Sequence, residues 1–363
     1  MEIKDKYLFS SVNDFEYIKK VLLNKKLSGT ADIVDEYELK LANFFNSKFA
    51  VATSSGTSAI QTALFAAGAN RGDDVIISST CPVMSVFPII QAGANIIFCD
   101  TAEDNFGLGI DDLEKTITSR TKAVIEVPMW GYPTNVEALQ NFLKSKNIPL
   151  ILDLAQAHGT KLKDHYLSYY GDISCFSTHD RKILATGEGG FILTNNENYY
   201  NKAKSFIAFG NMNTIDYGLN FKLGALQAAL GLNRIDYIPE QLKIRKSNAE
   251  HIRDGLKHSQ ISELTITENG EPNYYALLLK LNLDNPRKFI DYLFIKGIPS
   301  DIIRYNCKPL YNYSILEKFK RICPNSEKLL QSITTIPVHP GLNENEIDYI
   351  ISTINNSGFS YDT

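Results

Sequence analysis

The chain has 363 residues, 44% hydrophobic and 21% charged, enough to bury a large core and to build two domains. A net charge of −4 without any basic block excludes the electrostatic footprint of a nucleic-acid binder. Five scattered cysteines, Cys81, Cys99, Cys175, Cys307 and Cys323, with no Cys-x-x-Cys pair, exclude a disulfide framework or a structural zinc centre.

The polar start, "MEIKDKYLFSSVNDFEYIKK", lacks the apolar core of a signal peptide, and a reducing cytoplasm is the expected location. No apolar run approaches the roughly 18 residues of a membrane span, so no membrane crossing is expected, and the scattered cysteines give no reason to expect a resident metal. Residues 11–50 read as helices, and "DEYELKLANFF" sets Tyr37, Leu41, Phe44 and Phe45 on one stripe. "KFAVATSSGTSAIQTALFAAGA" then reads as a short strand, a Ser/Gly turn and an apolar helix. "DDVIISS" is a strand, "FPIIQAGA" a helix, and "NIIFCD" and "KAVIEVP" further strands. "NVEALQNFLKSKN" is a helix, followed by strands at "PLILDLA" and "GGFILTNN". Alternating strands and helices, with strands apolar throughout, predict an α/β fold whose mostly parallel sheet carries helices on both faces. Near residue 235 the texture changes to a long polar helix, "PEQLKIRKSNAEHIRDGLKH", and strands such as "YYALLLKL". The expected division is a large domain over 1–235 and a smaller α+β domain over 236–363.

Three places carry candidate chemistry. Ser54, Ser55, Gly56, Thr57 and Ser58 open a helix, whose free N–H groups and positive dipole end suit a phosphate. Ordinary N-capping explains the same residues. Asp153 ends an apolar strand, where α/β sheets bind ligands, or it caps the next element. Gln156 and His158 follow closely, and His158 is equally a structural core histidine. Lys182 in "STHDRKILATGEGG" is either a solvated surface charge or an amine for carbonyl chemistry. In chain order, a phosphate turn, a strand-end carboxylate and a lysine meet the three needs of pyridoxal 5'-phosphate (PLP): its phosphate, its ring nitrogen and its aldehyde.

With these blocks, the chain resembles the DegT/DnrJ/EryC1/StrS family of PLP-dependent sugar aminotransferases, of the aspartate aminotransferase-like fold type I. The resemblance runs from "LSGTADIVDEYELKLANFF" to "TTIPVHPGLNENEIDYII" and rests on "SSGTSAI", "DLAQAHG", Ser177 five residues before Lys182, and "TGEGG". It implies that Lys182 is the Schiff-base lysine, that Asp153 partners the ring nitrogen and that Ala155 packs on one ring face. It also implies Gln156 beside the ring hydroxyl, and Thr57, Ser58 and Ser177 as phosphate contacts. Asn220 in "GLNFKLGALQAA" matches an asparagine that reaches the neighbouring subunit's phosphate, so a homodimer with shared active sites is expected. The implied reaction moves an amino group from glutamate or glutamine to a keto acceptor, foremost a nucleotide-linked keto sugar. A cyclitol or small keto compound, a PLP-dependent lyase or dehydratase, and a non-catalytic regulatory member stand as alternatives.

The chain also departs from the family. Pro82 falls where an aromatic residue usually stacks on the second ring face. Asn220-Phe221-Lys222 replaces Asn-Tyr-Arg, and Lys222 lacks the bidentate fork of arginine. Asp180 and Arg181 stand where Pro and a small residue are usual. Arg181 either meets an anionic group near the acceptor's ketone, points to solvent, or pairs with Asp180. Trp130, at another strand end, is a candidate to line the same cleft.

Overall fold

The computed structural model describes residues 1–359. Its centre is a seven-stranded sheet of β1 (Phe49–Thr53), β2 (Asp74–Ser78), β3 (Asn95–Cys99), β4 (Thr121–Glu126), β5 (Leu150–Asp153), β6 (Ile173–Ser177) and β7 (Gly190–Thr194). The spatial order is β1-β7-β6-β5-β4-β2-β3. β7 runs antiparallel to β1 and β6, and the remaining pairs are parallel. Neighbouring residues of each strand point into different cores. Val51, Ile77, Ile125 and Ile151 join one cluster, while Ala52, Ile76, Val124 and Leu152 join the other. Helices cover both faces, so every position of β2 is buried, and the strand is apolar apart from its end residues Asp74 and Ser78.

Helix α1 (Asp14–Asn24) and helix α2 (Asp32–Phe44) precede the sheet. The stripe on α2 is the buried one: Tyr37 and Leu41 are inaccessible, and Phe45 packs against Phe176 and Phe191. Helix α3 (Gly56–Ala67) follows β1, and helix α4 (Val83–Gln91) follows β2. β6 is the strand the pattern does not announce. Its residues "ISCFS" mix polar and apolar groups, yet Ile173 to Phe176 are buried because helices close over both faces.

Beyond the long helix Ile238–Gly255, strands Ile261–Glu263, Leu277–Leu281 and Ile333–Ile336 form a separate antiparallel sheet. Later segments return to the central sheet. Leu310 N donates to Ser79 O (2.8 Å), and the Arg321 guanidinium grips Asp112 through two bonds of 2.5 and 2.7 Å. At the other end, Ile3 N donates to Gly297 O (2.8 Å), laying the first residues along this C-terminal part. Among the described residues, no helix is long and apolar enough to cross a membrane, and no cluster of acidic, His or Cys side chains could hold a metal ion.

Candidate active site

Lys182 sits on the connection between β6 and β7. Thr178 N donates to Gly189 O (2.8 Å), Thr186 N to Thr178 O (2.7 Å), and the two threonine hydroxyls meet at 2.7 Å. These bonds close a loop whose inner turn, Lys182 N to His179 O (2.8 Å), sets the lysine. Gly189 lies at φ 144°, and a Cβ there would come within 2.5 Å of the Thr178 hydroxyl, which accounts for one glycine of "TGEGG". From outside, Gln241 donates to Ile183 O (3.0 Å) and Arg234 to Ala185 O (2.8 Å). The Lys182 amine makes no hydrogen bond or ion pair among the described residues; Nζ lies 5.3 Å from the centroid of the Tyr275 ring. Burial pulls its pKa down to about 8, opposed by the carboxylates of Asp153 and Asp301 and assisted by Arg181.

Asp153 closes β5 in register with Cys175 of β6, buried to 5% exposure. Its Oδ2 accepts from the Ser85 hydroxyl (2.6 Å) and its Oδ1 from Ala155 N (3.1 Å). Burial still raises its pKa, although Ser85, Ala155 and Lys182 all favour the charged form. The result is a dry carboxylate held rigidly beside an unpaired amine, at the C-terminal edge where such sheets bind ligands.

The turn before α3 completes this edge. Ser55 is the N-cap: its side chain accepts from Ser58 N (3.0 Å), and the Ser58 hydroxyl accepts from Ser55 N (2.9 Å). The capping and anion-binding readings therefore coexist. The Ser58 hydroxyl is engaged in the box, whereas Thr57 is exposed on the first turn with N–H groups that have no intrahelical carbonyl. A Cβ on Gly56 would fall 2.7 Å from the Ser177 Cβ, so the glycine lets the end of β6 touch the start of α3.

Other expected residues take varied positions. Pro82 is the N-cap of α4, three residues before Ser85. The Gln156 side-chain oxygen accepts from Trp130 N (2.7 Å). Trp130 is only 2% exposed, so it supports the cleft from beneath its surface. Its backbone is in the left-handed region (φ 50°), unusual for a bulky residue, and its indole N–H donates to Asp301 Oδ2 (2.9 Å). His158 is fully buried, edge-on to Phe176 (5.1 Å between centroids); burial drives its pKa to about 3, so it is a neutral core histidine. Arg181 neither points to solvent nor pairs with Asp180. It binds Asp5 (3.2 Å) and the Tyr305 hydroxyl (2.6 Å), because the first residues and the C-terminal part close over the loop. Asn220 is exposed and accepts from Lys222 Nζ (2.7 Å), which also lies 4.8 Å from the Phe209 ring centroid. Both stand next to the turn, since Ser54 N donates to Phe221 O (2.7 Å).

Three residues of the site escaped sequence reasoning. Ser85 had a faint signal, one helical turn after Pro82. Asp301 and Tyr275 had none, since they arrive from the C-terminal part through packing alone.

The model of the DegT/DnrJ/EryC1/StrS aminotransferase family matches residues 10–355. GDP-perosamine synthase of Escherichia coli O157:H7 is 28% identical over 346 residues, covering 94% of each chain. The UDP-2-acetamido-2-deoxy-3-oxo-D-glucuronate aminotransferase of Pseudomonas aeruginosa is 27% identical over 327 residues, covering 89% of this chain and 90% of that one. Among solved structures, the sugar aminotransferase CalS13 from Micromonospora echinospora superposes with a TM-score of 0.89 at 22% identity, over 98% of this chain and all of that one. The chain belongs to the DegT/DnrJ/EryC1/StrS aminotransferase family.

Proposed function

We propose that this aminotransferase uses PLP to move an amino group from glutamate or glutamine to the ketone of a nucleotide-linked sugar. The observation that carries the reading is the Lys182 amine, desolvated to a pKa of about 8 and unpaired, beside the buried carboxylate of Asp153. An amine without a fixed partner suits an aldehyde, a dry carboxylate suits a ring N–H, and a capped helix end suits a phosphate. Thr57, Ser58 and Ser177 would hold the phosphate, Asp153 the ring nitrogen, Gln156 the ring hydroxyl, and Ala155 and Pro82 the two ring faces. When bound, the cofactor supplies an electron sink for the pair left at the substrate's amine-bearing carbon.

The chain's own part is to place charge and protons. Asp153, fixed by Ser85 and the Ala155 N–H, keeps a negative charge where a protonated ring needs one. Lys182 is poised to take a proton from the substrate carbon and return one, since a pKa of about 8 keeps both forms populated near neutrality. The Tyr275 ring against the amine excludes water from that side. The names of relatives that carry GDP and UDP sugars support the acceptor class.

Residues 1–235 and 236–363 are read as the large and small domains, and the cytoplasm as the location. A homodimer is supported by Asn220 and by the neighbouring exposed apolar side chains Met212 (78%), Ile215 (87%) and Tyr217 (67%), which suit a protein interface. Glutamate added to the PLP-loaded protein should bleach the cofactor's visible absorbance, and keto-sugar nucleotides should restore it. Lys182→Ala should abolish both. A variant with normal colour and turnover refutes the assignment, and a lyase would release product without a keto acceptor.

A further inference from the structure

Tyr275, whose ring lies against the Lys182 amine, also lines a cavity of about 60 Å3. That is room for about four waters or for one carboxylate group. Arg181, Arg245, Arg304 and Lys6 line it against two acids, Asp5 and Asp301. The acids are already engaged. Asp5 contacts both Arg181 and Arg304, and Asp301 takes the Trp130 indole N–H. Arg245 is different. It is 5% exposed, and its two hydrogen bonds go to the backbone carbonyls of Tyr274 (3.3 Å) and Tyr275 (3.2 Å). Its Nε is buried without a partner, and no carboxylate among the described residues pairs with it. His339, on the same cavity wall, likewise keeps a buried Nδ1 without a partner. A buried guanidinium lacking a counter-ion is costly, and an anion in the cavity offsets that cost.

We propose that this cavity is an anion subsite in which Arg245, aided by Arg181 and Arg304, holds a substrate carboxylate. The proposal deepens the aminotransferase reading by giving one substrate an acidic anchor beside Lys182. The Asp5 carboxylate, bound to two of the arginines, acts as an internal competitor for the incoming anion.

The test uses the PLP-loaded full chain with acetate as the probe. Acetate should raise the thermal midpoint saturably, as a ligand of the native state does. The shift should vanish in Arg245→Gln and persist in part in Arg245→Lys. Asp5→Asn should tighten acetate about tenfold by releasing Arg181 and Arg304. If Arg245→Gln does not fold, Arg304→Gln, at a more exposed position, decides by weakening acetate. No saturable shift in the unaltered protein, or an equal shift in Arg245→Gln, overturns the proposal. The two half-reactions name the source. A tenfold or larger rise in KM for glutamate alone assigns the site to the donor, and a rise for the keto acceptor alone assigns it to the acceptor. Unchanged KM for both, with acetate protection lost, refutes the substrate role. Acetate protection in a protein that reacts with no amino donor overturns the aminotransferase reading and leaves the anion site standing.

Discussion

Replacing Asp301 by Asn tests whether the C-terminal part tunes the reactive amine. Asp301 raises the Lys182 pKa against the lowering by burial, so its neutralisation should lower it further. Among the described residues the two groups form no ion pair and act on each other only through space. The roughly 4 kcal/mol of two charges at ~4 Å in an effective dielectric of ~20 is therefore an upper bound. That bound corresponds to about three pKa units, and the contribution of Asp301 lies below it. Asparagine keeps an acceptor for the Trp130 indole, so the packing should survive. The assay is the rate of modification of Lys182 by an amine-reactive reagent in the cofactor-free chain, followed by peptide mapping across pH. Only the neutral amine reacts, so the rate should rise through about pH 8 in the unaltered chain, far below an ordinary lysine. In Asp301→Asn the midpoint should fall, by less than the roughly three units of that bound. An unchanged or higher midpoint would show that Asp301 does not act on Lys182.

Ser85→Ala removes a 2.6 Å hydrogen bond to the buried Asp153 carboxylate. A bond to a charged group contributes about 1.5–3 kcal/mol, so the acid limb of the activity profile should move up by about one unit or more, and an unmoved limb would sink the role given to Ser85. Asp153→Asn should leave folding nearly intact while cutting turnover strongly; activity within about threefold, less than roughly 1 kcal/mol of barrier, would count against an electronic role. Glu126 is 1% exposed, accepts from Leu108 N (3.1 Å), and is pushed by burial from 4.5 to about 7. Because its folded pKa lies above the unfolded one, its stabilising contribution is present at low pH and is lost as pH rises from about 4.5 through about 7. Glu126→Gln should therefore gain roughly 3 kcal/mol at pH 8 and nothing at pH 4, read by urea titration. Equal effects at both pH values would refute a buried acid. Gly189→Ala, at φ 144° and facing the Thr178 hydroxyl, should cost roughly 1–3 kcal/mol and detach Lys182 from its setting; an unshifted urea midpoint would show that the loop tolerates a side chain.

The sequence by itself determined the parts whose causes are local. Apolar runs such as "VIISS" and "LILDL" mark strands buried on two faces, since each residue contributes to one of two cores. The Ser-Gly-Thr turn marks a capped helix start, and "TGEGG" marks a loop that needs glycine at positive φ. Lys182, Asp153 and their order along the chain were legible for the same reason, because strand ends and turns place them without help from distant segments. Tertiary structure alone decided the rest. "ISCFS" carries no strand signal, and it becomes β6 only because β5 and β7 flank it and helices cover it. Arg181 looks free beside Asp180, but Asp5 and Tyr305, far away in sequence, take its guanidinium. Asp301 and Tyr275 reach Lys182, and Arg245 is left without a counter-ion, only when the C-terminal sheet packs on the large one. The strength of a charge depends on what desolvates it and what stands opposite, and both are set by contacts between segments that no local pattern encodes.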